Sequence, residues 1–152
     1  MRRRLRAAST MQLTGTLALA AFGITAARLR AAEPSHSIWD GVYTAEQAQR
    51  GSWQFASHCA PCHGATLAGT GAVPALAGPT FLYNWDGLAL KALFDRIHVT
   101  MPMDNPGSLS PQTATDITAF ILSVNQIPAG NTKLSDDAQT LKNLRFDAKR
   151  PE

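Results

Sequence analysis

The sequence predicts an all-α domain of about four to five helices, and three observations carry that reading. Apolar residues recur at three- and four-residue steps in separate segments of the chain. Residues suited to cap a helix stand just before those segments, as Thr44, Asp86, Ser110 and Ser135 do. The stretches between are rich in Gly and Pro, and no run alternates apolar with polar residues as a strand ladder would. A chain of 152 residues suits one domain behind a leader.

Residues 1–32 read as a secretory signal. Arg2, Arg3, Arg4 and Arg6 form a positive n-region, and Met11 to Ala27 is an uncharged stretch able to enter a membrane. Thr25-Ala26-Ala27 and Ala31-Ala32 are the candidate cleavage exits, and an uncleaved anchor is the second reading. The charge of the chain divides at this leader. Six of the 14 basic residues precede position 31 and all 11 acids follow it, so from Glu33 onward the acids outnumber the eight bases by three. The pI near 9.2 therefore belongs to the leader and implies no nucleic-acid-binding surface.

The exported domain is expected over 33–152, with a core at 44–125 and a C-terminal extension at 126–152. Glu33 to Tyr43 reads as an irregular lead-in pinned by Ile38, Trp39 and Tyr43. Thr44 and Gln47 have the spacing of a capping box, and the helix they open runs from about Ala45 to His58. Ala48, Gly51, Phe55 and Cys59 share one face of that helix, and a glycine there suggests close approach by another helix. Gly64 to Thr80 reads as loop. After the aromatics Phe81, Tyr83 and Trp85, Asp86 is placed to cap a helix from about Leu88 to His98. A turn-rich segment with Met101 and Met103 follows, and then Ser110-Pro111 starts a helix that stops near Asn125. A last short helix is expected from about Asp136 to Asn143, with Ser135 as its cap and a frayed end at Lys149–Glu152.

The chemistry centres on Cys59-Ala60-Pro61-Cys62-His63. Two thiols one helical turn apart can each add to a vinyl group on one porphyrin edge, and the histidine that follows can bind the iron through a neutral imidazole. A thioredoxin-like pair would need a βαβ setting, and a zinc site a second pair of ligands. These are the only two cysteines in the chain, so no four-cysteine site can form within it. A disulfide across so short a loop would constrain little. The pattern predicts covalent attachment of one haem c (heme c) through Cys59 and Cys62, with His63 as an iron ligand.

Outside the leader, Met101 and Met103 are the candidate thioethers for the opposite axial position, both in a Pro- and Gly-rich loop rather than on a helix stripe. His98 is a further candidate, which would give a bis-histidine site. His58 and His36 read as surface residues.

From Thr44 to Asn125 the chain resembles class I cytochromes c. Gly51-x3-Phe55-x3-Cys59 looks like that family's N-terminal helix, and Asp116-Ile117-Thr118-Ala119-Phe120-Ile121-Leu122 like the C-terminal helix it crosses. Val73-Pro74-Ala75-Leu76 is similar to the segment whose proline carbonyl accepts a hydrogen bond from the haem-ligating histidine. Thr100-Met101-Pro102 resembles the axial-methionine loop. The resemblance therefore implies His63 and Met101 as axial ligands and Pro74 as the partner of His63. Met103, two positions later, departs from the pattern. Trp39-Asp40-Gly41-Val42-Tyr43-Thr44 and Asn105-Pro106-Gly107-Ser108-Leu109-Ser110 look like a bacterial subgroup associated with periplasmic dehydrogenases.

These readings together predict a periplasmic electron carrier, not itself an enzyme. Its expected partners are a periplasmic dehydrogenase as donor and an oxidase or another cytochrome as acceptor. Membrane contact is expected only if the leader is retained. The alternative is a permanent cytochrome subunit of a quinone- or flavin-dependent dehydrogenase, with the two extensions as docking surface. A haem with one open site for gas or peroxide is a third reading, against which the Met101 loop argues.

Overall fold

Two long helices meet where one of them has no side chain. The computed structural model describes residues 36–152, so the leader expected over 1–32 lies outside the described residues. Helix α1 (Ala45–His58) crosses α5 (Pro111–Val124) at Gly51. A Cβ on Gly51 would stand 1.8 Å from the Asp116 carbonyl oxygen and 2.9 Å from the Phe120 Cβ, so only glycine permits this backbone-to-backbone approach. One turn on, Phe55 and Phe120 stack at 5.3 Å with a 53° tilt. Arg50 closes the crossing with a two-pronged hold on Asp116, at 3.0 and 3.1 Å. Asp116 is buried, and the Gln112 amide also donates to it at 2.7 Å, which leaves neither carboxylate oxygen unpaired.

The remaining α-helices are α2 (Ala60–His63), α3 (Pro79–Trp85), α4 (Leu90–Thr100) and α6 (Ala138–Lys142). Of these, α2 follows on α1, and α4 packs on both α5 and α6. Two-residue strands β1 (His36–Ser37) and β2 (Leu144–Arg145) pair in parallel, His36 opposite Leu144. Leu90, Leu93, Phe94 and Ile97 turn one side of α4 into the core, as their spacing requires.

The two extensions close on one another. Gly41 and Gly130 touch back to back, since a Cβ on Gly130 would lie 2.1 Å from the Gly41 carbonyl oxygen. The Gly130 N–H donates to the Tyr43 carbonyl at 2.7 Å, and the buried Tyr43 hydroxyl donates to the Ile127 carbonyl. Trp39 Nε1 donates to the Asp147 carbonyl at 2.9 Å. Phe146, fully buried, meets Phe81 edge-on at 5.9 Å, and its backbone bonds both Leu88 and Gly87.

Several local expectations give way to these long-range contacts. α1 and α5 match their expected spans, with Thr44 and Ser110 as caps. Gln47, however, does not complete a capping box. Its amide instead bonds Leu134 in both directions, at 3.0 and 2.8 Å, and holds the C-terminal extension to α1. The stretch expected as loop to Thr80 ends in α3, because Pro79 occupies a first-turn position where its missing N–H costs nothing. α4 begins at Leu90 rather than Leu88, and Asp86 does not cap it; the Asp86 carboxylate accepts from the Ala148 N–H at 2.8 Å. α6 is shorter than expected, and Asp137 caps it in place of Ser135. The β1–β2 pair, which the sequence did not suggest, is too short to carry an alternating pattern. The lead-in is not irregular throughout: Ile38–Asp40 forms a 3₁₀ turn capped by Ser37.

Candidate haem site

The motif occupies the turn that leaves α1. Cys59 takes a φ of −119°, which bends the chain between α1 and α2, while its N–H still bonds the Phe55 carbonyl at 2.8 Å. The Cys59 carbonyl then accepts from both Cys62 and His63, at 3.1 and 2.8 Å, so the five residues form one compact helical turn. Neither thiol is in a disulfide; Cys59 is half-buried and Cys62 exposed. Burial, with the neighbouring Cys62 adding, pushes the Cys59 thiol up to about 11, so at neutral pH it is a protonated thiol.

His63 is buried, and its Nδ1 lies 2.9 Å from the Pro74 carbonyl oxygen. A carbonyl can only accept, so Nδ1 carries the proton and Nε2 keeps its lone pair. The loop that supplies this carbonyl is tied back to the motif at two further points. Gly69 N–H donates to the His63 carbonyl, and Thr70 Oγ1 to the Cys62 carbonyl, each at 2.9 Å. Gly69 makes the fold-back possible: with φ +72°, it sits so close that a Cβ would be 2.4 Å from the Val73 carbonyl oxygen.

Asn125 is a positioning residue that sequence reasoning missed. From the end of α5 its amide nitrogen donates to the Leu76 carbonyl at 3.0 Å, and its oxygen accepts from Gly78 N–H at 2.9 Å. It thereby pins the far end of the same loop. Asn at a helix end reads simply as a cap, and nothing local in the sequence says where its amide points.

Met101 follows the last turn of α4, with its N–H on the Ile97 carbonyl at 3.2 Å, and is half-buried. Met103 is 80% exposed. His58 and His36 are exposed, as expected of surface residues. His98 lies against Phe94 with ring centroids 5.4 Å apart. A polar cavity of about 380 Å³ opens between His58, Pro102 and Asn105, and neither thiol nor His63 lines it.

The donor set fits a covalently held haem. Two unbridged thiols one turn apart stand beside a buried imidazole whose outward nitrogen is free to bind a metal. A bare metal ion fits less well, because no three His, Cys, Asp or Glu residues among those described gather closely enough to hold one.

Comparison with known families agrees with this chemistry. The family model described as "Cytochrome C oxidase, cbb3-type, subunit III" matches residues 46–121, half of the chain. The chain belongs to this cytochrome c family. It is thus a mostly helical, haem-binding, electron-transfer domain, and the match takes in α1, the CxxCH motif, the loop to Pro74, the Met101 segment and most of α5. A comparison with curated proteins found no significant match. Among solved structures, the sulfane dehydrogenase SoxCD from Paracoccus pantotrophus is similar at 26% identity and a TM-score of 0.45. The alignment covers 59% of this cytochrome and 53% of that chain, so this cytochrome spans about half of its length.

Proposed function

We propose that this cytochrome is an exported one-electron carrier that holds one haem c through Cys59 and Cys62, with His63 and Met101 as axial ligands. When bound, the haem supplies an iron that takes up and releases one electron at a time. The observation that carries the reading is the His63–Pro74 hydrogen bond of 2.9 Å, directly after two unbridged thiols. The Pro74 carbonyl fixes the tautomer and the orientation of the ring and makes Nε2 the stronger donor to iron. The half-burial of Met101 favours it over Met103, whose side chain is spread into solvent. Exposed Cys62 marks the edge through which electrons enter and leave.

The carrier works in the periplasm, between a dehydrogenase as donor and an oxidase or another cytochrome as acceptor. Its leader delivers it there. No helix among the described residues is long and apolar enough to cross a membrane. The burial of Ile38, Tyr43, Leu134 and Phe146 within the chain's own body favours a free carrier over a permanent dehydrogenase subunit. The extensions that such a subunit would use for docking bury these four groups at home and leave Trp39 half-buried.

Visible absorption of the haem-matured protein tests the ligand pair. The wild type is expected to be low-spin and six-coordinate. The weak sulfur-to-ferric-iron band should vanish in Met101→Ala and persist in Met103→Ala, and carbon monoxide should bind only the former when reduced. Loss of the band only in Met103→Ala would move the ligand. A wild type that is five-coordinate and binds carbon monoxide would overturn the closed-site carrier.

A further inference from the structure

Among the described residues, one buried side-chain nitrogen or oxygen has no hydrogen-bond partner, and it is Nδ1 of His98. A buried polar nitrogen without a hydrogen-bond partner is costly, so native proteins keep such a group where something completes it. The ring as a whole is only half-buried, so it is enclosed on its Nδ1 side and open elsewhere. Its place in the fold narrows what that side meets. Phe94 and His98 share one face of α4 at a four-residue step, the His98 ring leans on Phe94, and Met101 follows directly on the end of the same helix, its N–H on the Ile97 carbonyl. The unpartnered nitrogen therefore belongs to the strip of α4 that leads into the proposed axial methionine.

A porphyrin has few groups that could satisfy it. Once the ring nitrogens hold iron, the hydrogen-bond acceptors left on a haem are its two propionate carboxylates. The Met101 thioether is a weak acceptor, whereas a carboxylate accepts a short, charge-assisted bond.

We infer that His98 is a positioning residue for the haem, its Nδ1–H donating to a propionate carboxylate. The inference rests on the carrier reading above. The bond would draw negative charge away from the neighbourhood of the iron and so favour the ferrous form over the ferric.

The test uses the full-length protein matured with haem labelled with ¹³C at the propionate carboxyls, as wild type, His98→Phe and His98→Asn. Asparagine places an amide N–H close to the position of Nδ1. Redox-difference infrared spectra should show the labelled carboxylate band displaced in His98→Phe and restored in His98→Asn. At one fixed electrode potential the ferrous-to-ferric ratio should fall several-fold in the Phe variant and recover in the Asn variant, with the sulfur-to-iron band intact in all three. In ¹⁵N-histidine-labelled wild type, the Nδ1 proton of His98 should be present and protected from exchange, which keeps the test valid if a variant fails to take up haem. A carboxylate band that does not move in His98→Phe, or a freely exchanging Nδ1 proton in the wild type, would overturn the assignment. So would loss of the sulfur band in His98→Phe, which would place the ring on the axial side. A wild type without covalent haem would sink the carrier reading itself, an outcome distinct from each of these.

Discussion

The crossing of α1 with α5 and the loop side of the motif are built from the same chain in opposite ways. At the crossing every group finds its partner within the protein: Gly51 against the Asp116 backbone, Phe55 on Phe120, and Arg50 and Gln112 on the Asp116 carboxylate. On the loop side, groups are held in place but left chemically open. The two thiols are unbridged and His63 offers a free Nε2, and at the end of α4 Met101 is half-covered and His98 Nδ1 has no hydrogen-bond partner. The difference separates stability from reactivity in space. The closed region, with the strap formed by the two extensions, holds the fold, and the open region holds the electronic properties. Changes in the first should move the melting temperature and spare the spectrum, and changes in the second that disturb an iron ligand or its hydrogen bond should move the spectrum or the potential.

The largest effect on stability is expected at the strap. Phe146 is fully buried against Phe81, so Phe146→Ala should cost about 3–5 kcal/mol. A thermal melt of the haem-loaded protein should show a midpoint lower by roughly 10 °C or more. Its reduction potential should stay at the wild-type value. A large potential change with an unmoved melt would invert the comparison.

Next comes Gly51→Ala. The added methyl would overlap a backbone carbonyl rather than the tip of a flexible side chain, so α1 and α5 must move apart. Overpacking of this kind costs about 1–3 kcal/mol, and the rigidity of the Asp116 backbone places this case at the upper end. A denaturant melt should show it, while the sulfur-to-iron band stays in place. If the band is lost at an unchanged midpoint, the crossing is tuning the site and not simply holding it.

Much of the closed region was legible in the sequence because its signals are local. The Thr44 and Ser110 caps, the Gly51 and Phe55 spacing and the CxxCH motif each act over a few residues, and the spans of α1 and α5 followed from them. The strap was not legible. Gln47 and Asp86 carry ordinary capping signals, yet Leu134 and Ala148 compete for them from far along the chain. A two-residue strand pair likewise has no periodicity to read. At the site, residue types told the chemistry of Cys59, Cys62 and His63, but the pinning of the loop by Asn125 and the unpartnered nitrogen of His98 exist only once the chain has folded.

The sharpest test of the comparison is a pair of changes in the loop, of which Pro74→Ala carries the smallest effect on stability. A Cβ at Gly69 would stand 2.4 Å from the Val73 carbonyl oxygen and 2.8 Å from the Pro74 carbonyl carbon, at a positive φ that disfavours any side chain. Gly69→Ala must push residues 73–75 outward and draw the Pro74 carbonyl off His63 Nδ1. A less basic imidazole stabilises ferric iron less, so the reduction potential should rise. Pro74→Ala, by contrast, removes a ring and keeps the carbonyl that makes the bond. It should leave the potential unchanged and lower stability by only about 0.4–1 kcal/mol, through the greater freedom of the unfolded chain. Potentiometry on the two variants side by side decides the point. If Pro74→Ala shifts the potential as far as Gly69→Ala does, the proline ring and not the backbone oxygen orients His63, and the loop belongs with the rigid half of the molecule.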